Sequence, residues 1–187
     1  MAQLTGKTII ITGSSRGVGA DTAQILAAEG ANIVVNYRSK APRANKIVKA
    51  IEEAGGKAIA VQADVTNNDD LQNLVNTAVE TFGSLDYLIL NASGGMETGM
   101  GEDYAMRLNR DAQLNLARLA AEKMPEGARI VFVTSHQAHF IREVETMDEY
   151  KPVAESKRAG EDALIAEIPA LSSPSRHTST TLSVRQP

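Results

Sequence analysis

The strongest constraint on this chain is its opening block, KTIIITGSSRGVGADTAQILAAEG, residues 7–30. A short β-branched run, 7–13, ends at a glycine and passes directly into alanines and leucines at helical spacing, which stop at Gly30. The run reads as a buried strand and residues 17–29 as a helix. The alternation then repeats. NIVVNY (32–37) and AIAVQAD (58–64) read as strands around a helix at 43–54 that Gly55 and Gly56 close. TNNDD is a helix start, because these side chains can cap free backbone N–H groups. The helix 68–82 places Leu71, Leu74, Val75, Ala78, Val79 and Phe82 on one stripe. LDYLIL (85–90), a long helix at 103–124, ARIVFVT (128–134) and a helix at 152–167 complete the series. The strands are apolar throughout rather than alternating, which is expected when helices cover both sheet faces. The pattern predicts an α/β fold with a doubly wound parallel sheet of five or six strands, filling residues 1–170 as one domain. Residues 171–187 carry eight Ser or Thr among seventeen, which predicts an irregular or disordered tail, with TTLSVR (180–185) as the alternative of a short sixth strand.

A chain of 187 residues with 43% hydrophobic and 22% charged residues suits one soluble domain with a substantial core. A net charge of −4 gives no reason to expect nucleic acid or an anionic membrane as partner. With no cysteine, disulfides, thiolate zinc sites and iron–sulfur clusters are excluded. The first apolar run is too short for a signal peptide, and none approaches the roughly 20 residues of a membrane-spanning helix. A cytoplasmic setting is the expectation.

TGSSRGVG (12–19) sits between the first strand and its helix. Gly13 and Gly17 allow a tight turn close to a pyrophosphate, Gly19 allows close helix–sheet packing, and the helix N-terminus supplies N–H groups. A plain strand–helix turn could use the same glycines, but the position in a βαβ unit favours phosphate binding. With Asp64 in ADVT, NAS (91–93) after strand four and Ser135 after strand five, the TGxxxGxG spacing resembles the short-chain dehydrogenase/reductase family, its 3-oxoacyl-acyl carrier protein reductase-like members in particular. The resemblance spans roughly residues 5–168 and implies a Rossmann-like domain. It also implies that Thr12, Gly13, Ser14, Arg16, Gly17, Val18 and Gly19 line the pyrophosphate and ribose. Asp64 and Val65 would flank the adenine, with Asn91, Ala92 and Ser93 beside the cofactor. NAS departs from the family's usual Asn-Ala-Gly. NAD sites of this type usually place an acid at the end of strand two, where this chain has Asn36, Tyr37, Arg38 and Ser39. Arg38, aided by Arg16, suits a 2′-phosphate. The other reading of Arg38 is a solvated loop residue. NADP(H) is therefore expected ahead of NAD.

Carbonyl reduction by a nicotinamide needs a hydride and a proton for the developing alkoxide. A tyrosine phenol, with a pKa of about 10, serves near neutrality only if a cation lowers it. The resemblance implies Lys157, in SKRAGE, as that cation, Ser135 as the carbonyl positioner and Asn109, in MRLNRDA, as a water-holding relay; Asn115 is a later alternative. The family's usual Tyr-x3-Lys would put the tyrosine at residue 153, which is Val153 here. Tyr150 gives Tyr-x6-Lys, seven residues being near-integral in helical turns, and that spacing resembles the enoyl-acyl carrier protein reductase branch. Tyr37 and Tyr87 fall in strands and Tyr104 comes too early. Pro152 favours a first helical turn and should keep Lys151 out of the α region, so Tyr150 is expected just before the helix. The competing reading is a surface tyrosine beside a capped helix. His136 and His139 lack a third ligand, so no metal is expected, and Glu143, Glu145, Asp148 and Glu149 read as a solvated loop.

These residues lead to an expected NADP(H)-dependent oxidoreductase interconverting a carbonyl and a hydroxyl on a small molecule. Family members usually continue through a Pro-Gly turn, a substrate-covering helix pair and a seventh strand, so relative to them the chain looks C-terminally truncated. That, with Val153, keeps open a catalytically impaired nucleotide-binding protein. An enoyl-thioester reductase variant is the third reading, and a methyltransferase is weaker because strand two lacks a ribose-binding acid. The family often pairs through its long helices, so a homo-oligomer is expected on the same ground.

Overall fold

The computed structural model describes residues 4–97, 99–101, 103–168 and 180–184. Chain order is β1 (Thr8–Ile11), α1 (Gly17–Ala28), β2 (Asn32–Tyr37), α2 (Ala41–Glu53), β3 (Lys57–Gln62), α3 (Asn68–Phe82) and β4 (Tyr87–Leu90). It continues with α4 (Tyr104–Met106), a π-helical turn (Arg107–Asp111), α5 (Ala112–Ala121), β5 (Arg129–Ser135), α6 (His136–Phe140), α7 (Lys151–Glu167) and β6 (Thr180–Val184). Six parallel strands lie in the order β3-β2-β1-β4-β5-β6. The order reverses between β1 and β4, and a crevice opens beyond the carboxyl ends of the strands at such a point.

The uninterrupted apolar strands follow from burial on both faces. Ile9 and Ile11 of β1, with Ile33 and Val35 of β2, pack under α1 and α2. Ile10 and Val34, between them in sequence, point the other way into a larger core with α3, α5 and α7. Alternate side chains of a strand face opposite sides, so a strand buried twice must be apolar at every position. Helix α3 starts where TNNDD predicted: the Asn67 side chain accepts from the N–H groups of Asp69 and Asp70, and Gly83 closes it in the left-handed region at φ 83°. At the amino edge of the sheet, Asp86 accepts from Lys7 Nζ (2.8 Å), Thr8 N–H (3.0 Å) and Ser84 Oγ (2.7 Å), tying β1 to β4.

Several expectations are corrected. The long helix 103–124 is divided by a π-helical turn at Arg107–Asp111. There α7 crosses so closely that a Cβ on Gly160 would lie 2.3 Å from the Asn109 carbonyl oxygen. Helix α6 was not predicted; it forms because Ser135 Oγ accepts the Ala138 N–H at its start (3.2 Å). Lys151 is the first residue of α7 rather than outside the α region, because its N–H is already bonded to the Met147 carbonyl (3.0 Å) in a turn that feeds the helix. For the tail, residues 180–184 form the strand alternative, paired from Val131↔Thr180 to Ser135↔Val184. The rest of the predicted tail, 171–179 and 185–187, lies outside the described residues.

Candidate active site and nucleotide cleft

Two cavities adjoin at the carboxyl edge of the sheet and share Val18, Asn91, Ser93 and Glu97 as walls. The first, of about 570 Å³, runs from the glycine loop across the end of β2 to Asp64 and Val65. Gly13 and Gly17 have φ of 64° and 56°, the left-handed conformation the tight turn requires. At Gly19 a Cβ would lie 2.6 Å from Asn91 Nδ2 and 2.9 Å from Ser14 Cα, so α1 begins pressed against the loop and the end of β4. Arg16, at the N-cap, supplies no side-chain acceptor to the first turn. The N–H groups there are thus left for an anion, which the macrodipole also favours. Arg16, Arg38, Lys40 and Arg43 line this cleft against two acids, Asp64 and Glu97. Its glycine loop and cationic lining fit a nicotinamide dinucleotide.

The expected nucleotide residues divide into wall and support. Gly13, Arg16, Gly17, Val18, Gly19, Asn36, Arg38, Ser39, Asp64, Val65, Asn91, Ala92 and Ser93 line the cleft. Thr12 and Ser14 are not among its walls: each is fully buried. Thr12 Oγ1 accepts from the N–H groups of Asn91 and Ala92 (2.9 Å each), and Ser14 Oγ donates to Ile11 O (2.7 Å). They shape the loop from behind. Asn36 is tied as well: its Oδ1 accepts the Gly13 N–H (3.0 Å) and its Nδ2 donates to Ala63 O (3.1 Å).

The second cavity, of about 440 Å³, gathers Ser135, Tyr150, Val153 and Lys157 with Met96, Val133 and Gln137. Ser135 is presented at the last residue of β5, and Lys157 from the second turn of α7, its Nζ donating to the Val133 carbonyl (2.9 Å). Burial pushes the Lys157 amine down from 10.5 to about 8. Tyr150 stands at the N-cap of α7, half-buried, and its carbonyl accepts the Ala154 N–H (3.0 Å). Both spacings weighed in the sequence reach this cavity, because Val153 and Tyr150 each line it; the phenol is Tyr150's.

Asn109 is placed differently from the relay expectation. It is buried, its Nδ2 donates to Gly94 O (2.7 Å) and Ser156 Oγ (2.9 Å), and its Oδ1 accepts the Gly94 N–H (3.3 Å). The side chain therefore pins the loop after β4 to α7, behind the cavity wall that Gly94 forms. Asn115 points to α3, with Nδ2 on Asn68 Oδ1 (3.2 Å). His136 and His139 are exposed and meet the Phe140 ring in tilted and edge-to-face contacts, at 4.9 and 4.8 Å between ring centroids. Among the described residues no three His, Asp or Glu side chains are grouped to hold a metal. Glu143, Glu145, Asp148 and Glu149 are all exposed.

Sequence reasoning missed the contribution of the loop after β4 and of α4. Glu97 borders both cavities, and Tyr104 and Leu108 wall the nucleotide cleft from across the sheet edge. Only the glycines around residues 94–101 hinted at a loop able to fold back. Ser15, Lys40 and Arg43 were equally unread, although Lys40 precedes α2 and Arg43 lies in its first turn.

The family model for short chain dehydrogenases matches residues 7–150. Versicolorin reductase 1 of Dothistroma septosporum is 39% identical over 142 residues, 73% of this chain and 54% of the relative. A short chain dehydrogenase from Burkholderia cenocepacia, solved in complex with NADP, superposes with a TM-score of 0.84 at 33% identity, over 97% of this chain and 74% of that one. The promiscuous reductase LugOII, which catalyses keto-reduction during lugdunomycin biosynthesis, gives 0.83 at 31% identity, over 97% and 78%. The chain spans about half the length of the curated relatives it matches first, 54% in that case.

Proposed function

Because the chain belongs to the short-chain dehydrogenase family, we propose that it is an NADP(H)-dependent oxidoreductase that interconverts a carbonyl and a hydroxyl on a small organic molecule. The observation that carries this reading is the meeting of Ser135, Tyr150 and Lys157 in one cavity that shares a wall with the glycine-loop cleft. Arg16 and Arg38, with Lys40 and Arg43 near them, give the cleft the cationic end that a 2′-phosphate requires. Similarity to a protein solved with NADP points the same way. The bound nucleotide would supply the hydride for the carbonyl carbon. The chain's part is to hold the carbonyl oxygen at Ser135 Oγ and deliver a proton to it from Tyr150 Oη. Lys157, protonated below about 8, provides the positive charge that eases loss of that phenolic proton. Asn109 serves by fixing Gly94 and α7 around the cavity.

The test is NADPH consumption by the purified chain with a panel of aromatic and aliphatic ketones, with Tyr150→Phe beside it. Loss of turnover by about 10²-fold or more in the variant, with NADPH still bound, supports the assignment. Equal turnover removes Tyr150 from it. Nucleotide binding with no turnover of any carbonyl by the parent chain favours the second reading, a nucleotide-binding protein without catalysis, which Val153 at the family's usual tyrosine position supports. Turnover of an enoyl thioester in place of ketones would favour the enoyl reductase variant that Tyr-x6-Lys suggests.

A further inference from the structure

Arg38 is exposed and would ordinarily sample many rotamers, yet its Nη1 donates to Tyr104 Oη at 2.8 Å, a bond spanning 66 residues of sequence. Tyr104 is itself only 5% exposed and opens α4, on the far side of the cleft from β2. Both residues line the nucleotide cleft. From below, Gln62 Nε2 donates to the Arg38 carbonyl (3.0 Å), so the backbone of the arginine is held as well. The arginine is thus held at its guanidinium by Tyr104 and at its backbone carbonyl by Gln62, beside the cleft that Lys40 and Arg43 also line. Holding a long charged side chain in one geometry is entropically unfavourable in water, and anchoring it beforehand removes that cost from ligand binding.

We infer that Tyr104 is a positioning residue for nucleotide choice: its hydroxyl holds Arg38 over the cleft and so sharpens discrimination for a 2′-phosphorylated dinucleotide over its unphosphorylated counterpart. The inference rests on the NADP(H) reading above. It gives α4, which walls the cleft opposite β2, a part in reading the far end of the nucleotide. Tyr104 is also the point through which the loop after β4 and the end of β2 are joined.

Calorimetric titration with NADPH and with NADH on the parent, Tyr104→Phe, Arg38→Ala and the double variant separates the possibilities. Phenylalanine keeps the buried ring and removes only the hydroxyl. The expected result is NADPH affinity about fivefold weaker in Tyr104→Phe, the size of one hydrogen bond's net contribution, with NADH affinity unchanged. The double variant should then be no weaker for NADPH than Arg38→Ala alone. Equal weakening for both nucleotides, or none for either, overturns the inference. If Arg38→Ala shifts the NADPH:NADH ratio and Tyr104→Phe does not, the inference fails while the NADP reading stands. If the parent shows no preference, or Arg38→Ala leaves the ratio unchanged, the NADP reading falls and takes this inference with it.

Discussion

Replacing Lys157 by methionine should make the protein more stable. Lys157 is 6% exposed, and its amine donates to the Val133 carbonyl. Burial moves it from 10.5 to about 8. At about 1.4 kcal/mol per pH unit, that difference means the buried ammonium opposes folding by about 3 kcal/mol at neutral pH. Methionine is of similar length, carries no charge, and forfeits about 1 kcal/mol for the lost bond to Val133. The net expectation is a gain of about 2 kcal/mol at pH 7. The pH dependence has a defined direction. Below about 8 the lysine is protonated folded and unfolded, and the full penalty is present. Between about 8 and 10.5 the unfolded chain holds a proton the folded chain has released, so stability of the parent rises with pH. Urea unfolding of both proteins at intervals across this range reads the difference directly, since the other titrating groups cancel. The advantage of Lys157→Met should shrink by about 3 kcal/mol from the lower to the upper end. Parallel pH profiles, or a variant less stable at pH 7, would refute the account of a desolvated amine.

Other consequences follow from particular contacts. Gly160→Ala should destabilise by about 2 kcal/mol or more in the same unfolding assay, since its Cβ meets the Asn109 carbonyl at 2.3 Å and both partners are backbone-bound. Asn36→Asp should lower the unfolding midpoint instead of producing an NAD-binding protein, because a carboxylate would face the Ala63 carbonyl that Nδ2 now serves; titration with NADH checks the second half. For Asp86, burial alone would raise the carboxyl, but the bonds from Lys7, the Thr8 N–H and Ser84 outweigh it and hold it below its ordinary value. Its contribution is therefore present above the unfolded carboxylate range and lost as pH falls through the lowered folded value. Asp86→Asn should flatten the acid limb of a stability–pH profile and cost about 1–3 kcal/mol at neutral pH.

Local signals alone determined the strand–helix alternation, the twofold-buried sheet, the cap at Asn67 and the glycine loop. Each depends on neighbouring residues only: a run of isoleucines buried on both faces needs no distant partner to declare itself, and Asn67 caps with atoms two and three residues away. Ser135, Tyr150 and Lys157 were legible as a group only through their resemblance to the family's motif. Tertiary structure decided what was long-range. Thr12 and Ser14 are turned inward because β4 and β2 supply their partners. Asn109 is committed to Gly94 and Ser156 because α7 crosses the π-helical turn without room for a side chain at Gly160. Tyr104 reaches Arg38 only because the order reversal between β1 and β4 brings the ends of β2 and α4 to one crevice. Periodicity reports which face of an element is buried; it carries no record of which distant carbonyl or hydroxyl will meet it there.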